Sequence, residues 1–161
     1  VAGGDRVQVP IDITLERNRL SQHFEALISR QERMCRDLES LADDLPDRID
    51  TLAAKMLADA LHPTLRACQD LEETHVFPAI LTWQASIGPT LDRLRAEHVE
   101  DEDHAAIVAE AIMRFVRSRR HAEADQLGYL LRGLFRPLMR HSAFDRDVIL
   151  PLYRQALSRR D

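Results

Sequence analysis

The sequence predicts an all-α fold, an antiparallel four-helix bundle with up-down-up-down topology. Apolar residues recur every three or four positions over long stretches, which is the period of an amphipathic helix. Five glycines and seven prolines among 161 residues leave little turn chemistry, so the elements should be few and long. The breaks between the periodic stretches are short, and short connections place consecutive helices antiparallel. No segment shows the alternation of a strand.

The first half of the chain predicts two helices, over residues 14–42 and 48–85. The stripe of the first helix includes one histidine, His23, among apolar residues, and the acidic segment 43–47 ends it. The stripe of the second helix includes Cys68 and Glu72. Pro63 and Pro78 lie inside this stretch, and we expect each to interrupt the helix because proline lacks a backbone N–H and clashes with the preceding turn.

The second half predicts helices over residues 90–119 and 122–157, after a Gly88-Pro89 break. The third helix carries His98 and Asp101 on its apolar stripe. In the fourth helix, leucines step by three or four residues, and the same stepping then reaches His141 and Asp145. Ionisable residues therefore occupy positions where the pattern predicts buried leucines.

The two halves resemble each other in the placement of these residues. Each has a histidine on its first helix, then two polar or thiol side chains four residues apart on its second helix, and then an apolar–proline pair. These positions are His23, Cys68, Glu72 and Phe77-Pro78 in the first half, and His98, His141, Asp145 and Leu150-Pro151 in the second. The chain is therefore predicted to be a duplicated two-helix unit.

Buried carboxylates and histidines at helical spacing point to a cation. Residues four apart, such as His141 and Asp145, lie about 6 Å apart along the axis on nearly one face. Burying a carboxylate without a partner costs several kcal/mol, and a bound cation removes that cost. Imidazole and carboxylate donors together suit iron, manganese or zinc. Two carboxylates from opposite halves could bridge two ions, as in other bundle cores.

These motifs resemble the hemerythrin-like (HHE cation-binding) family over about residues 14–157. The resemblance implies a four-helix bundle with iron, as a di-iron centre, held by His23, Glu72, His98, His141 and Asp145, with Glu72 and Asp145 as the bridging carboxylates. It also implies a sensor, carrier or store of iron, oxygen or a small gas such as NO.

One position departs from the family pattern, because Cys68 stands where the family has a histidine. Cys68 could bind as a thiolate, His75 or His62 could substitute, or one metal position could be lost and leave a mononuclear or empty site. We favour His75, which is three residues from Glu72.

The third helix offers two carboxylates. Glu102 lies four residues after His98, whereas Asp101 fits the spacing of the apolar stripe better. The full set of predicted metal ligands is His23, Glu72, His75, His98, Glu102, His141 and Asp145.

Composition limits the other function classes. A net charge of −5 argues against a nucleic-acid binder, and no apolar run has the length of a membrane span. Two cysteines form no disulfide framework, so we expect a cytoplasmic protein. The length fits a single domain over residues 1–161. No nucleophile, phosphate-loop or dinucleotide motif occurs, so we predict a binding protein rather than an enzyme.

Two alternatives stay open at this point. A metal-free bundle could serve as an interaction or regulatory module, its site degraded at Cys68. A ferritin-like di-metal oxidase would use Glu-x-x-His pairs of the kind seen at Glu72 and His75, and at Asp101 and His104. The oligomeric state is not encoded in these patterns.

Overall fold

The structure is a computed structural model that describes residues 13–159; the predicted ends of the domain, residues 1–12 and 160–161, lie outside the described residues. The α-helices are α1 (Ile13–Asp44), α2 (Thr51–Leu71), α3 (Phe77–Leu81), α4 (Gly88–Ser118), α5 (His121–Phe144) and α6 (Leu150–Ser158). A π-helical segment joins α2 to α3, and another joins α5 to α6. The chain therefore forms four long rods packed antiparallel as a bundle: α1, α2 with α3, α4, and α5 with α6. The predicted fold class is confirmed. In the part of the chain described, no helix has the length and apolar character needed to cross a membrane.

The two π-helical segments occupy equivalent positions in the two halves. The first π-turn is Glu72–Val76 and the second π-turn is Asp145–Ile149, and an apolar–proline pair follows each. Proline cannot donate to the ladder, and its ring clashes with the carbonyl four residues back. A wider turn relieves this clash: the N–H groups of the residues before the prolines bond to the carbonyls of Glu72 and Asp145, five residues back. The predicted interruption therefore occurs at Pro78, whereas α2 runs through Pro63 without a break.

The core consists of two apolar clusters separated by polar side chains. The distal cluster lies near the α1–α2 connection and contains Leu38, Leu61 and Ile112 among others. The proximal cluster contains Phe24 and Tyr153, whose rings meet edge to face. Between the clusters, each rod contributes buried polar residues, and we call this set the polar layer: Gln31, Gln69, Glu72, His98, Asp101, His141, Ser142 and Asp145. A polar layer across an otherwise apolar core needs internal partners to be stable.

Arg146 clamps α1 to the second π-turn. Its Nε donates to Glu32 Oε1 at 2.8 Å, and its Nη2 donates to Glu32 Oε2 and to Ser29 Oγ, both at 2.9 Å. A bidentate guanidinium–carboxylate pair is stronger and more specific in geometry than a single contact.

Replacing this clamp should destabilise the bundle measurably. We expect Arg146→Ala to lower the free energy of unfolding by about 1 kcal/mol, since three hydrogen bonds at a partly exposed site are lost. Arg154→Ala, which removes one contact to Glu25 between more exposed groups, should cost less than about 0.5 kcal/mol. Chemical denaturation measures both; equal losses for the two variants would show that the clamp has no special role.

Candidate metal centre

Two histidines and two carboxylates converge in the polar layer. His98 Nε2 lies 3.3 Å from Glu72 Oε2, and His141 Nε2 lies 3.5 Å from Asp145 Oδ2. The two imidazole rings stack, with centroids 5.1 Å apart and planes at 21°. One donor atom from each of Glu72, His98 and His141 lies within 4.8 Å of the other two. Donor atoms that share one cation at bonds of about 2.1 Å are about 3–4 Å apart, so this group is close to the size of a single coordination sphere.

The two carboxyl groups also meet each other. Glu72 lies close enough to Asp145 for its charge to disfavour ionisation of Asp145. Burial raises the pKa of Glu72 to about 8. Burial and the neighbouring Glu72 raise the pKa of Asp145 well above its usual range. Burial, with the charge of His98, lowers the pKa of His141 to about 3. Without a cation, therefore, burial favours protonated carboxyls and a neutral His141.

Several donor atoms of this group have no hydrogen-bonding partner. They are Glu72 Oε1, His98 Nε2, His141 Nδ1 and both carboxyl oxygens of Asp145, which is 0% exposed. Buried polar atoms in folded proteins nearly always have a partner, so a concentration of unmatched ones calls for an explanation. A cation with mixed nitrogen and oxygen ligands would satisfy the inward-facing atoms, and the residues present fit such an ion.

A carboxylate braces the outer nitrogen of the His98 ring, and two carboxylates lie near the outer nitrogen of the His141 ring. His98 Nδ1 lies 2.7 Å from Glu73 Oε1, and His141 Nδ1 lies 3.4 Å from Glu97 Oε2 and 3.9 Å from Asp101 Oδ2. In metal sites a carboxylate on the far ring nitrogen fixes the tautomer and orients the near nitrogen toward the ion. Glu73 and Glu97 are partly exposed, and sequence reasoning missed them. The available signal was that each adjoins a residue of the apolar stripe, Glu72 or His98.

The prediction that α1 brings His23 into the core is wrong. His23 is exposed, and the face of α1 that packs inward runs through Phe24, Ile28 and Gln31. Adjacent residues on a helix point about 100° apart, so His23 and Phe24 cannot both face the core. The residue that α1 adds to the polar layer is Gln31, whose amide donates to Ser142 Oγ at 2.9 Å.

Neither histidine proposed to replace the missing one reaches the group. His75 lies in the first π-turn, where the extra residue per turn rotates it off the stripe; it is exposed, and its Nδ1 contacts Thr74 Oγ1 at 2.7 Å. His62 is exposed and lies 3.7 Å from Glu102. Cys68, by contrast, is fully buried close to Glu72, and burial raises the pKa of its thiol well above the usual range.

Of the two acidic candidates on α4, the structure brings Asp101 and not Glu102 to the polar layer. Glu102 accepts a hydrogen bond from Arg66 Nη1 at 2.8 Å on the α2 side of the bundle. Asp101 is buried, and burial raises its pKa to about 6. The Glu-x-x-His pairs of the ferritin-like alternative do not converge either, because His75 and His104 are both exposed.

A cavity of about 410 Å³ lies between α4 and α5 and ends at the polar layer. Its inner part includes Asp101 and His141, and its outer part includes the exposed Glu100 and Arg140, with Glu97 between them. We call this space the α4–α5 cavity. It gives the buried His141 a connection to the surface.

An antiparallel four-helix bundle with a buried histidine and carboxylate group defines a class of cation-binding bundle proteins. The family model of the hemerythrin HHE cation binding domain matches residues 19–153, and the chain belongs to this family. The resemblance stated from the sequence motifs is thereby confirmed. No curated protein and no solved structure matches the chain.

Proposed function

We propose that this domain binds one iron ion per chain through Glu72, His98, His141 and Asp145. The observation that carries the proposal is the set of unmatched, buried donor atoms on these residues in the middle of the core. Iron is the proposed metal because imidazole and carboxylate donors suit it and because the family resemblance implies it. When bound, the ion would supply a Lewis-acidic and redox-active centre.

A single ion is preferred to the di-iron centre implied by the resemblance. A second ion would need donors from the first half of the chain, where His23 and His75 are exposed and α1 offers the neutral Gln31. Cys68 is the remaining candidate there among the described residues. Its side chain is shorter than that of a histidine, and burial raises the pKa of its thiol, which disfavours the thiolate that binds metals. The second half, in contrast, provides a histidine on each of two helices and a carboxylate.

The proposed role is that of a carrier, store or sensor of iron or of a small gas. The α4–α5 cavity supports the gas ligand, because O2 or NO fits easily in about 410 Å³ and the cavity reaches His141. The site lies at the centre of all four rods, and a close-packed interior transmits small displacements. A change in the ligands of the ion would therefore shift each helix, which supports a sensing role.

Elemental analysis after anaerobic loading with Fe²⁺ and gel filtration tests the proposal. We expect about one iron per chain for the parent protein and much less than one for His141→Ala. His121→Ala is the matched control, because His121 is an exposed histidine of α5, the helix that carries His141, and it should keep the parent value. Two iron per chain would favour the di-iron centre. No iron in the parent would favour the metal-free interaction module.

A further inference from the structure

The α4–α5 cavity is lined by carboxylates that lead from the surface toward the polar layer. Three carboxylates line it at increasing depth: Glu100 is exposed, the side chain of Glu97 is 40% exposed, and that of Asp101 is 10% exposed. His141 lies at the inner end, only 6% exposed, and its Nδ1 atom has no hydrogen-bonding partner while it faces Glu97 and Asp101. The acidic residues thus lead toward an unmatched donor of the buried group.

We propose that the α4–α5 cavity is the route by which a divalent cation reaches the polar layer, and that Glu97 and Asp101 hold it transiently at the inner end. This inference rests on the proposed function. The rings of His98 and His141 are buried inside a bundle, so an ion can reach them only where side chains leave space. Carboxylates that line a cleft raise the local concentration of cations and the rate of association.

Two arginines also lie at this cavity, and their charge should affect the rate of cation association in the opposite direction to that of the carboxylates. Arg93 Nε lies 3.5 Å from Glu97 Oε1, and Arg140 lines the outer part. Both repel a dication, whereas Glu100 attracts it. Charge changes at Glu100 and Arg140 should therefore shift the association rate in opposite directions without removing any proposed ligand of the bound ion.

Stopped-flow mixing of the metal-free protein with Co²⁺, followed by cobalt absorption, measures this rate. At low ionic strength we expect Glu100→Arg to slow association about three- to tenfold and Arg140→Gln to speed it. In about 1 M salt, where the Debye length is about 3 Å, the differences should shrink to less than about twofold. Asp59→Arg makes the same charge change as Glu100→Arg on an exposed residue of α2 and should leave the rate near the parent value.

A bulky substitution distinguishes passage of the ion through the cavity from a general electrostatic effect on the association rate. Arg140→Trp removes the repelling charge, which alone would speed association, but places a large ring at the outer end of the cavity. If ions pass through the cavity, Arg140→Trp should slow both association and dissociation by the same factor relative to Arg140→Gln, and the two variants should have the same equilibrium affinity.

Other results would overturn the proposal. Arg140→Trp that behaves like Arg140→Gln, or Glu100→Arg that matches Asp59→Arg, would rule out this route while leaving the proposed function in place. Failure of the parent protein to bind Co²⁺ in the polar layer at all would overturn both.

Discussion

Asp145→Asn is expected to stabilise the metal-free protein and to abolish its stabilisation by an added cation. Asp145 is completely buried, and neither of its carboxyl oxygens accepts a hydrogen bond from any of the described residues. Its pKa is raised by burial and by Glu72. A carboxyl group with a raised pKa in the folded state costs stability as pH rises, because the unfolded chain ionises freely and the folded chain does not. Asparagine has the same shape, carries no charge and can donate to Glu72.

At pH 7.5 with chelator, we expect Asp145→Asn to raise the free energy of unfolding by about 1–2 kcal/mol. With cation at about 100 times its dissociation constant, the parent should gain about 2.7 kcal/mol and the variant much less, since a ligand is lost. The two proteins therefore exchange their order of stability when metal is added. Denaturant unfolding with chelator and with Co²⁺ measures both differences.

Asp147→Asn is the matched control for this exchange. Asp147 is an exposed residue of the same π-turn, so the same chemical change should have little effect under either condition. A metal-free Asp145→Asn protein that is less stable than the parent would show that the carboxyl group is satisfied within the fold. A variant that keeps the full gain with metal would remove Asp145 from the ligand set.

Cation affinity is expected to rise with pH between about 5 and 8. The pKa of Glu72 is raised from 4.5 to about 8, so this carboxyl holds a proton in the metal-free fold over most of this range, and burial and Glu72 shift the pKa of Asp145 in the same direction. Binding requires the ionised form and releases these protons. His141, whose pKa is lowered to about 3, is already neutral and adds nothing to this dependence. Each released proton strengthens binding by up to tenfold per pH unit.

Isothermal titration of Co²⁺ in two buffers with different ionisation enthalpies counts the released protons. We expect more than one proton per ion near pH 6 for the parent protein and fewer for Glu72→Gln. An affinity that stays constant from pH 6 to pH 8, with no proton release, would contradict the protonated state of the two carboxyls.

Much of the site could be predicted from periodicity alone, because a polar residue on a long apolar stripe is conspicuous. His98, His141 and Asp145 lie on α4, α5 and the second π-turn, where the leucine spacing continues on both sides of them. The same reasoning gave a wrong prediction for His23, which is exposed. It adjoins Phe24, and the stepping of the apolar residues accommodates either one, so only packing against the other rods selects the inward face.

The π-turns and the outer carboxylates lay beyond sequence reasoning for different physical reasons. Pro78 marks a disturbed turn, but its sequence position does not say whether the helix breaks, kinks or widens, and widening is what turns His75 outward. Glu73 braces a histidine of another rod. Such contacts across the bundle depend on how the rods are aligned and do not follow from spacing within one helix. The preference for Asp101 over Glu102 likewise depends on Arg66, which belongs to α2.

Anomalous diffraction from crystals grown with Co²⁺ or Fe²⁺ tests the central claim most directly, because it locates the ion among named atoms. We expect one strong peak in the polar layer, about 2.0–2.2 Å from a ring nitrogen of His98, a ring nitrogen of His141 and a carboxylate oxygen of Glu72. Absence of a peak in the polar layer, or two peaks of equal strength there, would contradict a single buried cation as the centre of this protein.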